Sequence, residues 1–421
     1  MSEIEKPATQ SKLGGVMIIA GSAVGAGMFS LPTVSAGMWF GWSIACMLLS
    51  WYVLYQVTVM ILEVNLNFNP GDSFDTMVNG TLGKTWATIN GLLLAFLLYI
   101  LDYAYISGGG SIVNQTLSST IGYEPPQVFS GLVFAFVLAF VVWLSTKAVD
   151  RVLTVLIAGM IITFFMATAN LSLAADLSNL FGEQASTGAI GDIPAFMFVF
   201  AALPYYLTSF GFHCNVPSLV KYYGKQPKLI VRSMLIGSTM CFVIYFLWLL
   251  STMGNLDQNA FKDIIAKGGN IGALVEGINQ VVNTQALERV LGIFANMAIV
   301  SSFLGVSLAL FDFIADKFGF DDSPMGRLKT AIISFAPSTI GGVFFPDGFI
   351  AAIGFAGLVV AINALIIPPL MLMKSREKFP DSQYVLVKGN AKLYFVMGAG
   401  VVYSACHIFY MLGVLPKLGY S

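Results

Sequence analysis

Residues 20–32 read AGSAVGAGMFSLP, and this stretch decides the fold. Gly21, Gly25 and Gly27, followed by Pro32, fall inside the first long apolar run of the chain. Each glycine costs about 1 kcal/mol in a helix interior relative to alanine. A helix interrupted at mid-bilayer strands backbone N–H and C=O groups, which is tolerated only where they face protein, a cavity or a ligand. Such interruptions mark the substrate and ion sites of transporters.

The surrounding composition fixes the class. The 421 residues are 57% hydrophobic and 10% charged, with a mean hydropathy of +0.80, so polar side chains are too few to cover a water-facing surface. An all-α polytopic membrane protein in a lipid bilayer is expected. A net charge of -1 argues against a nucleic-acid partner. The glycine-rich segment lacks the strand-turn-helix setting of a dinucleotide loop. Without a zinc spacing, nucleophile elbow or phosphate loop, neither an enzyme nor a cofactor is expected, and no obligate protein partner is evident. Cys46, Cys214, Cys241 and Cys406 all sit in apolar runs and read as packed hydrophobes. The polar residues 1–12 precede the first span with no small-residue cleavage site, so no signal peptide is expected to be removed.

The length of about 20 apolar residues needed to cross a bilayer selects eleven candidate spans: 13–38, 40–65, 86–113, 127–146, 151–173, 192–216, 228–253, 285–316, 327–345, 347–373 and 391–415. With the N-terminus cytoplasmic, all of the 21 Lys and Arg except Lys262, Lys267, Arg289 and Lys417 fall inside. That asymmetry is the one the positive-inside rule requires, and eleven spans leave the C-terminus periplasmic.

The sixth span, FMFVFAALPYYLTSFGFHCNVPSL (196–219), holds Pro204 and Pro217 around Gly211, with polar Thr208, Ser209, His213 and Asn215. It too is expected to be discontinuous. Interruptions in spans one and six, five apart, point to two inverted repeats of five helices with substrate between them. The repeats run over 13–173 and 192–373; residues 1–12 form a cytoplasmic tail and 391–415 an eleventh helix.

The segments IIAGSAVGAGMFSLP (18–32), LYILDYAYISGGGSI (98–112), SFGFHCNVPSLVKYYGK (209–225), SSFLGVSLALFDFIAD (301–316) and FGFDDSPMGRLKTA (318–331) resemble those of bacterial aromatic amino acid permeases, most closely the tryptophan-specific ones. The resemblance covers nearly the whole chain. It implies the amino acid–polyamine–cation fold, shared with the leucine transporter, and secondary uptake of L-tryptophan or another aromatic amino acid at the bacterial cell inner membrane.

In that role the substrate carboxylate meets the amides of Gly25, Ala26 and Gly27, where missing side chains permit close approach. The ammonium meets carbonyls near Ala23 and near Thr208 and Ser209. The resemblance places Tyr103 beside the carboxylate, and Phe210 beside the sixth-span break covers the ring; Phe303 forms another wall.

Ionisable groups in the apolar zone are expensive and read as functional. Asp102 lies near the middle of span three, and His213 beside the sixth break; both are candidates for coupling. Glu63 and Asp312, near cytoplasmic helix ends, read either as gate ion pairs with Arg151 or Lys147 or as interfacial charges. His407 reads as structural.

The resemblance implies symport with protons. Relatives carry a lysine in the fifth span where IAGMIITFF (157–165) has Met160, which opens a sodium alternative. Its site resembles the leucine transporter's second sodium site: carbonyls of Gly21, Val24 and Ala298 with hydroxyls of Ser301 and Ser302. An ion channel is the alternative of a different class, but the chain has no repeated filter sequence.

Overall fold

Glycine, serine and proline set where the helices of this chain stop, and long apolar runs set where they continue. The computed structural model describes residues 11–181, 189–190, 193–281 and 284–417; residues 1–10 of the expected tail lie outside them. Helix α1 (Lys12–Ala23) ends in extended backbone at Val24 and Gly25, and a 3-10 turn (Ala26–Phe29) leads into α2 (Ser30–Ser35). The stretches Leu13–Gly21 and Ala26–Ser35 are inclined to one another by 50°. The interruption expected in the first span is present.

Next come α3 (Trp39–Asn65), α4 (Phe74–Leu82), α5 (Lys84–Ile121), α6 (Gln127–Leu144), α7 (Thr146–Ala174) and a short α8 (Leu177–Phe181). A two-stranded antiparallel hairpin, β1 (Ala189–Ile190) and β2 (Ile193–Pro194), precedes α9 (Ala195–Phe210). After Gly211 a 3-10 turn (Phe212–Asn215) passes into α10 (Val216–Tyr223). The rest comprises α11 (Pro227–Met253), α12 (Gln258–Ala266), α13 (Ile271–Val281), α14 (Gln285–Phe318), α15 (Pro324–Phe344), α16 (Phe349–Val360), a π turn (Ala361–Ile366), α17 (Ile367–Lys378) and α18 (Ala391–Met411).

Among the described residues, nine helical runs are long and apolar enough to cross a membrane, and the bent pair of the first span makes ten. The chain is a multi-pass membrane protein. Of the eleven expected spans, 327–345 is helical as α15 but less apolar than the others. Arg327 and Lys329 lower its apolarity, and Thr330, Ser334 and Ser338 are turned into the protein. The sixth span is interrupted more gently than expected: Ala195–Tyr223 remains one continuous span whose winding changes at Gly211, and Pro204 sits inside α9 without ending it.

Lipid-facing residues such as Phe136, Leu173 and Phe344 are exposed, as the apolar solvent of the bilayer allows. Inside, Phe29, Trp248, Phe294 and Phe164 form an aromatic cluster with centroids 5.2 to 5.7 Å apart, directly behind the first break. Such a cluster fixes the half-helix through packing rather than backbone pairing. Cys46, Cys241 and Cys406 are buried, but Cys214 is exposed, unlike the packed hydrophobe expected there.

Candidate functional site

Ending α1 at Ala23 leaves the last carbonyls of the half-helix without i+4 partners, and restarting at Ala26 creates new unpaired amides. The protein meets these groups with side chains from three other helices. Ser302 of α14 accepts a hydrogen bond from the Ala26 amide at 2.8 Å. Ser209 of α9 donates to the Gly27 carbonyl at 3.2 Å, and Ser30 donates to the same carbonyl at 2.7 Å. Trp248 of α11 donates its indole N–H to the Met28 carbonyl at 3.1 Å.

The two interrupted segments therefore touch. Gly25 is needed sterically: a Cβ there would lie 2.6 Å from the Ser302 hydroxyl. Gly27 is less confined, since a Cβ would meet Ser209 at an ordinary 3.7 Å. Val24 is buried, and Gly21 has nothing within 4 Å of where its Cβ would stand.

On the sixth-span side, the Tyr245 hydroxyl donates to the Ser209 carbonyl at 2.6 Å. Thr208 donates to the carbonyls of Pro204 and Ile353 at 3.0 and 3.1 Å. Phe210 is fully buried against Tyr245, with centroids 5.1 Å apart. His213 is buried in the 3-10 turn, its Nδ1 without a hydrogen bond among the described residues and its Nε2 3.4 Å from Cys214 Sγ.

Ser301 of α14 donates to Ala298 at 3.1 Å. Two groups expected to ligate an ion are thus bonded to each other, and Met160 is buried in α7. Asp102 is fully buried between α5, α14 and α15: its Oδ1 accepts from Ser307 at 2.5 Å, while Oδ2 accepts no hydrogen bond among the described residues. Ser338 adjoins it and donates to the Tyr99 carbonyl at 3.1 Å.

The site thus joins unwound backbone, hydroxyls and aromatic walls, the chemistry that holds a zwitterion with an apolar tail. The model of the tryptophan/tyrosine permease family matches residues 8–407. The chain belongs to that family. This permease is 49% identical over 407 residues to a tryptophan-specific transport protein of Pseudomonas aeruginosa (strain UCBPP-PA14), covering 97% of this chain and 96% of that protein. A low affinity tryptophan permease of Escherichia coli (strain K12) is 39% identical, with coverages of 97% and 98%. A tyrosine permease of Enterobacter agglomerans is 37% identical, with coverages of 94% and 95%. Among solved structures, a mutant manganese transporter of Eremococcus coleocola superposes with a TM-score of 0.63 at 13% identity, covering 99% of this chain and 92% of that one. That likeness concerns the fold alone. Family membership makes the chain a transporter and not an enzyme.

Several expected site residues of the permease lie elsewhere. Tyr103 donates its hydroxyl to the Phe345 carbonyl at 2.8 Å and packs on Gly341, facing α15 and the loop before α16 rather than the first break. Tyr105 is turned about 200° around the helix from it and is buried within electrostatic reach of Asp102 and Tyr245. Phe303 is buried between Phe134 and Phe335, at 5.3 and 6.2 Å, and is a packing residue of α6, α14 and α15 rather than a wall of the break.

Glu63 does not take Arg151 as its partner, and the side chain of Lys147 lies outside the described residues. Glu63 binds Arg376 of α17 at 2.7 Å and accepts the Leu386 and Val387 amides at 2.8 and 2.7 Å. His407 packs on Phe355 at 5.1 Å, in line with a structural role. Sequence reasoning missed Tyr245 and Trp248, whose signal was a polar-tipped aromatic in an otherwise apolar helix. It also missed Tyr223, whose hydroxyl accepts from the Gly15 amide at 3.0 Å and donates to the Ser11 carbonyl at 3.1 Å, tying the start of α1 to α10.

Proposed function

We propose that this permease imports L-tryptophan, or a related aromatic amino acid, across the bacterial inner membrane by symport with protons. The observation that carries the reading is similarity along nearly the full chain to proteins named for tryptophan transport, at 39 to 49% identity. The N-terminus is cytoplasmic and the C-terminus periplasmic, with α15 completing eleven passes arranged as a leucine-transporter-like five-plus-five repeat and one extra helix. The repeats comprise 13–173 and 192–373.

The carboxylate sits against the backbone of Gly25, Ala26 and Gly27, at the positive end of the second half-helix. The ammonium is held by carbonyls near Ala23, Thr208 and Ser209, and Phe210 covers the ring. Asp102 carries the coupled proton, supported by its complete burial and its free carboxylate oxygen. His213 is the second candidate in the relay.

A sodium-coupled mechanism is the second reading, favoured by Met160 at the fifth-span position where the resemblance implies lysine. Its ligands are Gly21, Val24, Ala298, Ser301 and Ser302. The 3.1 Å hydrogen bond that Ser301 donates to Ala298 leaves lone pairs on both oxygens, so it is compatible with either reading. Replacing sodium with choline at fixed pH and membrane potential separates the two. Undiminished tryptophan accumulation supports proton symport; arrested uptake, reproduced by Ser302→Ala in sodium, overturns it.

A further inference from the structure

A second feature of the permease lies away from the substrate site, at the end of the molecule where α1 starts. There a groove of about 560 Å³ opens between α3, α11, α18 and the strap holding Val387. Two long helices begin at it, α11 at Pro227 and α18 at Ala391. Neither N-terminus has a side-chain cap, and neither has an acidic residue in its first turn. Each presents unpaired amides and the positive pole of its helix to the groove.

Instead of a carboxylate, each first turn carries a lysine that lines the groove, Lys228 on α11 and Lys392 on α18. Neither forms an ion pair among the described residues. This is the reverse of the charge a helix N-terminus favours. Positive charge is therefore gathered here without a partner in the protein.

Gln56 of α3 also lines the groove, is 7% exposed, and makes no hydrogen bond among the described residues. The stem of Gln56 is packed in the protein while its carboxamide opens into the groove, where it is available to a ligand. The nearby carboxylate, Glu63, lies behind the strap and is already consumed by Arg376 and two backbone amides. The groove is consequently rich in donors and free of competing acid.

Its floor is apolar, formed by Val59 and Val231. Close by on α3 and α18, Tyr52 and Phe395 pair at 6.2 Å and stand 40% and 48% exposed on the lipid-facing surface. The groove thus continues into the face that meets acyl chains. We propose that it binds the phosphodiester headgroup of an anionic phospholipid, in the leaflet on the amino-terminal side of the bilayer, with Lys228, Lys392 and Gln56 as its side-chain ligands.

The test is native mass spectrometry of the purified permease with phosphatidylglycerol, phosphatidylcholine or inorganic phosphate. It needs no transport activity, so its failure is distinct from failure of the substrate assignment. Phosphatidylglycerol is expected to be retained in preference to phosphatidylcholine. Lys228→Gln with Lys392→Gln is expected to weaken that retention at least roughly tenfold, given two near-surface lysines, and Gln56→Leu to weaken it less. Lys221→Gln with Lys225→Gln, which removes two exposed lysines that do not line the groove, serves as the folded control and retains the lipid. Equal retention of both lipids, or retention unchanged in the double variant, overturns the site; displacement of phosphatidylglycerol by millimolar inorganic phosphate overturns the lipid as its occupant.

Discussion

The hydroxyl of Ser302 lies 2.8 Å from the amide of Ala26 and accepts its hydrogen bond, so an eighth-span side chain closes the gap in the first span's backbone. This contact joins residues 276 positions apart. It makes the interruption a shared property of two helices: the sequence of α1 opens the helix, and α14 sets where it reopens.

The first prediction follows from the space around that contact. Gly25→Ala puts a Cβ 2.6 Å from Ser302 Oγ, whereas at Gly27 the nearest contact is 3.7 Å. Tryptophan uptake is expected to fall at least tenfold in Gly25→Ala and to stay within about threefold in Gly27→Ala, with both variants inserted normally. Gly27→Val, which adds branched bulk where the carboxylate is proposed to meet the backbone, is expected to abolish uptake. Initial-rate assays on equal amounts of inserted protein decide it, and normal transport by Gly27→Val contradicts the placement.

A second prediction concerns Asp102. Asparagine keeps the size of the side chain and an acceptor for Ser307 but cannot release a proton at physiological pH. Asp102→Asn is expected to eliminate accumulation driven by a pH gradient while leaving exchange of internal for external tryptophan measurable. Accumulation at the normal level assigns coupling to another group.

Glu63 and Arg376 give a third. The carboxylate is 2% exposed and pinned by one guanidinium and two amides. Removing one partner of a buried pair leaves an uncompensated charge, which typically costs on the order of 3 kcal/mol. Arg376→Gln is expected to lower the thermal midpoint of the purified permease by several degrees. Glu63→Gln, which turns one of the two accepting oxygens into a donor facing either the guanidinium or the two amides, is expected to lower it as well. Equal midpoints for wild type and Arg376→Gln contradict a load on this pair.

Tyr223 gives the fourth. Its hydroxyl joins the Gly15 amide, the Ser11 carbonyl and Ser233. Tyr223→Phe removes these bonds with little change in volume. A cysteine introduced at Ser11 is expected to react severalfold faster with a water-soluble thiol reagent in that variant. An unchanged rate shows that the start of α1 is held by packing alone.

How much of this was visible in the sequence depends on the range of the interaction. The first break was legible because Gly21, Gly25 and Gly27 act locally, through helix propensity. The milder change at Gly211 was legible in place but not in degree: Ala195–Tyr223 remains one span with Pro204 inside its helix. Which of Tyr103 and Tyr105 faces α15 depends on rotation about the helix, which tertiary packing settles. Arg376 lies 313 positions from Glu63, and no local rule selects it over Arg151. α15 is less apolar than the other passes because Arg327 and Lys329 stand near its start and Thr330, Ser334 and Ser338 are buried in the protein, a placement that only tertiary packing reveals.

The measurement that bears most directly on the proposed function is inhibition of labelled tryptophan uptake in sealed vesicles energised with a proton gradient, by unlabelled tryptophan, tyrosine, phenylalanine and indole. If the unwound backbone of spans one and six holds the carboxylate and ammonium while an aromatic slot reads the ring, uptake is saturable and concentrative. Tryptophan then inhibits more strongly than tyrosine or phenylalanine, and indole, which lacks the amino acid end, inhibits least. Flux that rises linearly with concentration, or inhibition by indole equal to that by tryptophan, contradicts the account.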